Sequence, residues 1–175
     1  MALAHRSRPG ALRPGRPRGA SAGAALALST ALRLRDRDEP RPDALLPAYP
    51  FVHFPTPALD DATAAAMREL PALLRFTTGS IEDMVRKCVG RLTGLPADAM
   101  PGATQLDGLP PTGIVLAEHD DLRPSGELLA RQREETGVPV RTYHAAGMAH
   151  GYPNRGPSLG EVDRSPDFFV SVLSG

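Results

Sequence analysis

Three side chains in this sequence are of the types, and in the order, that acyl transfer through a serine needs. Ser21 is the central residue of Gly19-Ala20-Ser21-Ala22-Gly23, a G-x-S-x-G pentapeptide that runs straight into the helix-forming stretch from Ala24. A serine hydroxyl is a poor nucleophile until a neighbouring imidazole accepts its proton, and that imidazole must be oriented by a carboxylate on its other nitrogen. Candidates for both partners lie downstream, the adjacent acids Asp120 and Asp121 and then His150, which is followed by a glycine. The pentapeptide suits a strained strand-to-helix turn that exposes the hydroxyl, because small neighbours let backbone approach backbone. An alanine- and glycine-rich helix start capped by a serine would look the same, so the surrounding elements decide.

In an open α/β sheet, groups that act together sit on loops beyond the carboxyl ends of the strands. Residues 112–117 (TGIVLA) form a short apolar run that predicts a buried strand, and Asp120 and Asp121 follow it directly. Residues 138–144 predict another strand, followed by the loop AAGMA and His150. His144 lies inside that strand and lacks the following glycine. Residues 43–49 (DALLPAY) read as a third buried strand, although Pro47 cannot donate to a ladder on its N–H side. Helices are expected over 24–37, 60–76, 80–92, 125–136 and 166–173, with Ser80 capping the third and Gly137 closing the fourth. Strands alternating with helices of this length predict a parallel α/β arrangement. The residues before Ser21 do not fit: Pro9, Pro14 and Pro17 predict that no strand leads into it.

Composition excludes several classes. The 20 basic residues balance the 20 acidic ones, with five arginines and no acid in the first 20 positions, so the remainder is net acidic and bulk charge gives no reason to expect a nucleic-acid partner. Lys87 is the single lysine, and the 17 glycines and 19 prolines reflect a bias toward Arg, Ala, Pro and Gly that weakens any argument from small residues. Cys88 is the single cysteine, which rules out an intrachain disulfide and a thiolate metal cluster; it is expected to be packed in a helix. No apolar run reaches the length of a membrane span, and the N-terminus lacks the apolar core of a secretory signal, so a cytoplasmic location is the default expectation. Residues 1–18 read as a Pro/Arg-rich, disordered leader. His5 and His53 are expected at the surface, Asp121 as a solvated loop acid, and the run Glu118-His119-Asp120 as solvated rather than metal-binding.

Five motifs in order, GASAG (19–23), AYP (48–50), GLPPT (108–112), HDDLRPSGE (119–127) and GMAHGY (147–152), make the chain from Gly19 onward resemble the hormone-sensitive-lipase-like branch of the α/β-hydrolases, the fold-3 family of bacterial esterases. The resemblance implies a partial α/β-hydrolase fold over 19–175, the C-terminal half of a mostly parallel sheet with flanking helices, and makes 51–104 a cap or insertion. The family's D-x-L-R pattern falls on Asp120, Leu122 and Arg123, and its H-G-[FY] step on His150, Gly151 and Tyr152. By resemblance, Ser21 attacks an ester carbonyl, His150 shuttles the proton, Asp120 holds the imidazolium and the Ala22 N–H donates to the oxyanion. No metal or organic cofactor is implied, and small-molecule esters are the implied substrates. The family's further oxyanion donors come from an H-G-G-G loop upstream of the nucleophile, and this sequence contains no HGG. The expectation is therefore a shortened chain with impaired or absent catalysis; a second reading is a non-catalytic chain that associates with another copy through an exposed sheet edge.

Overall fold

Ile114, Val115, Leu116 and Ala117 are all shielded from water, as a continuous apolar run in a central parallel strand requires. In the computed structural model, which describes Gly15, residues 17–154 and residues 160–174, they belong to β3 (Thr112–His119). The other strands are β1 (Arg18–Ala20), β2 (Leu46–Ala48) and β4 (Val140–Ala149). They form a four-stranded parallel sheet in the order β1-β2-β3-β4.

Alternate residues of β3 serve opposite faces. Ile114 and Leu116 join Leu28, Leu32, Leu129 and Ala130 beneath α1 (Ala22–Asp36) and α4 (Arg123–Glu135). Val115 and Ala117 join Tyr49, Ala145 and Tyr152, against which Phe168 and Phe169 of α5 (Gly160–Ser174) pack. A third cluster of Phe51, Ile81, Val85, Met100 and Leu122 gives the segment 51–104 its own apolar centre. That segment carries α2 (Asp61–Arg68) and α3 (Thr78–Val89) between β2 and β3.

Several elements differ from the sequence expectation. A strand does lead into Ser21: β1 pairs Arg18, Gly19 and Ala20 with Leu46, Pro47 and Ala48. It survives the prolines because none falls within Arg18–Ala20, and the Pro17 carbonyl still accepts the Leu46 N–H at 3.1 Å. The expected leader therefore gives up Arg18 to the sheet, while residues 1–14 and 16 lie outside the described residues. Pro47 is tolerated by interruption. The Leu45 N–H bonds the Pro111 carbonyl and the Tyr49 N–H the Val115 carbonyl, and the ladder skips the position between them. The helix expected over 60–76 stops at Arg68, ahead of Pro71, and α3 starts earlier than expected, capped by the Thr77 hydroxyl rather than by Ser80. Strand β4 continues through the expected loop AAGMA, and α5 begins at Gly160 with Pro166 inside it. Gly137 does close α4 in the left-handed conformation (φ 70°), its N–H bonding the Glu134 carbonyl.

Candidate active site

Ser21 stands at the junction of β1 and α1 with φ 55° and ψ −120°, a backbone conformation that side chains rarely adopt. Two hydrogen bonds hold the turn: the Ser21 N–H donates to the Ala48 carbonyl at 2.9 Å, and the Ser21 carbonyl accepts the Ala24 N–H at 3.0 Å. Gly19 explains why the turn needs a glycine before the serine, since a Cβ there would lie 2.1 Å from the Gly23 carbonyl oxygen. Gly23 itself faces open space. Ala22 is the first residue of α1, so its N–H has no acceptor inside the helix.

Asp120 follows directly on β3 and is 1% exposed. One carboxylate oxygen, Oδ1, accepts the Leu122 N–H at 2.9 Å, and the other, Oδ2, lies 2.7 Å from His150 Nδ1. On the far side of the ring, His150 Nε2 lies 2.9 Å from Ser21 Oγ. Both contacts are satisfied at once by a neutral imidazole that donates from Nδ1 to the carboxylate and accepts the serine proton at Nε2. The structure thus brings Ser21, Asp120 and His150 together, in the order expected, and leaves His144 exposed on β4 away from them.

The end of β4 before His150 is tied back to β3. Glu118 Oε2 accepts the Gly147 N–H at 2.6 Å, Gly147 takes a φ of 69°, and the β3–β4 register shifts between Ala117 and His119. Two aromatic rings flank the imidazole, Tyr49 at 4.7 Å and Phe76 at 4.8 Å between centroids, both nearly perpendicular to it. Burial, reinforced by Tyr152 and Asp120, pushes the Tyr49 hydroxyl up to about 12, so it stays neutral beside the histidine.

Three residues behave differently from the sequence expectation. Asp121 is no solvated acid: its side chain is 8% exposed and makes a two-point ion pair with Arg75. His53 is buried at 6% exposure, its Nδ1 3.0 Å from Ser125 Oγ and its Nε2 2.9 Å from Gln132 Oε1. Cys88 is exposed at the end of α3. Sequence reasoning also missed Glu118 as a tether and Tyr49 and Phe76 as walls. Only Tyr49 carried a signal, as part of the AYP motif.

A protein-family model described as the alpha/beta hydrolase fold matches residues 18–154. The chain belongs to that family. Carboxylesterase NlhH of Mycobacterium tuberculosis is 44% identical over 62 residues, which are 35% of this chain and 19% of that protein. Esterase LipI of the same organism is 32% identical over 93 residues, 53% of this chain and 26% of that protein. Among solved structures, an esterase of Pyrobaculum calidifontis superposes with a TM-score of 0.71 and 29% identity over 90% of this chain and 51% of its own. The chain thus spans about half the length of that esterase, and the resemblance to the esterase branch of the α/β-hydrolases drawn from the five motifs is borne out. No described helix is long and apolar enough to cross a membrane.

Proposed function

We propose that this chain carries the centre of a carboxylic-ester hydrolase, with Ser21 as nucleophile, His150 as general base and acid, Asp120 as the carboxylate that orients the imidazole, and the Ala22 N–H as an oxyanion donor. The observation that carries this reading is the unbroken relay from Ser21 Oγ through both ring nitrogens of His150 to Asp120, closed across 129 residues of sequence. The names of both curated relatives, a carboxylesterase and an esterase, support the substrate class.

The chemistry follows from the contacts. Ser21 Oγ attacks the ester carbonyl carbon as its proton passes to His150 Nε2, and Asp120 stabilises the resulting imidazolium through Nδ1–H. The carbonyl oxygen becomes an oxyanion, which the Ala22 N–H meets at the positive end of α1. Collapse of the intermediate breaks the bond to the alcohol oxygen, which takes the proton from Nε2 and leaves an acyl-serine. Water then enters by the same route in reverse, its proton going to His150, and releases the carboxylic acid and free Ser21. Small p-nitrophenyl esters test this directly: acetate and butyrate should be hydrolysed, and a fluorophosphonate probe should label the protein. The Ser21→Ala variant should lose both, and equal rates for the two proteins would sink the reading.

A further inference from the structure

The two consecutive acids after β3 hold different things. Asp120 reaches under His150, whereas Asp121 turns to the segment 51–104. Its Oδ2 accepts from Arg75 Nε at 3.0 Å and from the Phe76 N–H at 2.7 Å, and its Oδ1 accepts from Arg75 Nη2 at 3.1 Å. Hydrogen bonds to a carboxylate are stronger than neutral ones, and the planar guanidinium fixes geometry as well as energy. The Asp121 carboxylate in turn raises the Arg75 pKa above its ordinary value.

The grip has a directional result. Arg75 is extended (φ −111°, ψ 145°), so its side chain and that of Phe76 leave the backbone on opposite sides. With the Arg75 guanidinium and the Phe76 N–H both fixed on one carboxylate, the Phe76 ring is directed at His150, 4.8 Å away and tilted by 70°. Tyr49, held in the sheet by its N–H bond to Val115, flanks the same imidazole. One wall of the histidine is therefore built into the sheet, and the other is carried by the segment 51–104 and anchored by Asp121.

We propose that Asp121 is a positioning residue for the reaction: through Arg75 and the Phe76 N–H it sets the Phe76 ring against His150 and holds the imidazole between two aromatic walls in line with Ser21. This inference rests on His150 being the general base. It gives the segment 51–104 a part in holding the imidazole of His150.

Nuclear magnetic resonance of the full chain separates the clasp from the chemistry. In Asp121→Asn, the Phe76 amide should exchange with solvent about 10- to 100-fold faster, the scale of a lost charge-assisted hydrogen bond. The His150 Hε1 resonance should move as the ring current of Phe76 is withdrawn, while the Val115 amide stays protected. Asp121→Glu should restore both signals in part, and Arg75→Gln opens the same clasp from its more exposed side should Asp121→Asn fail to fold. An unchanged Phe76 amide and His150 resonance would overturn the proposal, as would a parallel loss of protection at Val115, which marks a purely structural role. Fluorophosphonate labelling of Ser21 supplies the second arm: it should slow in Asp121→Asn and recover in Asp121→Glu, and an equal rate in all three overturns the positioning role. A wild-type chain that never labels refutes instead the reading of Ser21 and His150, leaving the clasp to be decided by resonance alone.

Discussion

Asp120 is the residue on which the tautomer of His150 depends. An asparagine in its place would present an amide as well as a carbonyl to Nδ1, and the ring could then turn its proton toward Ser21. Asp120→Asn should therefore lower ester turnover on the order of 10³- to 10⁴-fold with little change in melting temperature, since the side chain retains an oxygen for the Leu122 N–H. Steady-state rates beside a melting curve check both halves. Asp120 and Asp121 also show how far one sequence can be read. The D-x-L-R register pointed to Asp120, which lies against His150, but nothing near Asp121 in sequence announced Arg75, 46 residues earlier. A lone acid in a loop reads as solvated unless its counter-ion is visible, and here the counter-ion lies on another element. His53 was misread for the same reason: its partners Ser125 and Gln132 lie on α4.

At the level of elements, the two glycines of GASAG are not equivalent. A Cβ on Gly19 would meet backbone of Gly23, which cannot move without shifting α1, whereas Gly23 lies in the first turn of a helix with nothing nearby. Gly19→Ala should cost about 1–3 kcal/mol as overpacking does, and Gly23→Ala should be neutral or stabilising by up to ~1 kcal/mol. Chemical denaturation of both variants measures the contrast; a milder effect at Gly19 than at Gly23 would contradict the geometry. The central elements were legible because β3 is an uninterrupted apolar run and α4 has a glycine stop. β1 was not, because it is three residues long and its pairing partner, not its own composition, makes it a strand. The last part of β4 was hidden by small residues: Ala145, Ala146 and Gly147 have little strand preference, and pairing with β3 at Ala145 and Ala149, on either side of the register shift, carries the strand through them.

Across the molecule, buried polar groups join layers that the apolar clusters leave separate. Arg133 is fully buried and donates to the carbonyls of Leu106, Leu109 and Pro110, tying α4 to the chain entering β3. His53 links three further parts. Ser125 Oγ accepts the N–H groups of Val52 and His53, leaving its proton for His53 Nδ1, while Nε2–H meets Gln132, whose amide reaches the Gly102 carbonyl. Burial holds the His53 imidazole below its ordinary pKa, with the positive charge of Arg131 acting in the same direction and the hydrogen bonds against it. The sign is then fixed. The unfolded chain takes up this proton first as pH falls through about 6.5, so the contribution is fully present above that value and is lost as pH drops toward the lower folded pKa. Melting temperature should fall between pH 7 and 5, and less steeply in His53→Gln; identical slopes would exonerate His53.

The relay between Ser21 and His150 also has a consequence in time. Ser21 leaves the ribosome 129 residues before His150. At roughly 5–20 residues per second, Ser21 waits on the order of 6–26 s for His150 to be made. Throughout that interval the Ser21 hydroxyl has no imidazole beside it, and that partner arrives only when β4 docks on β3.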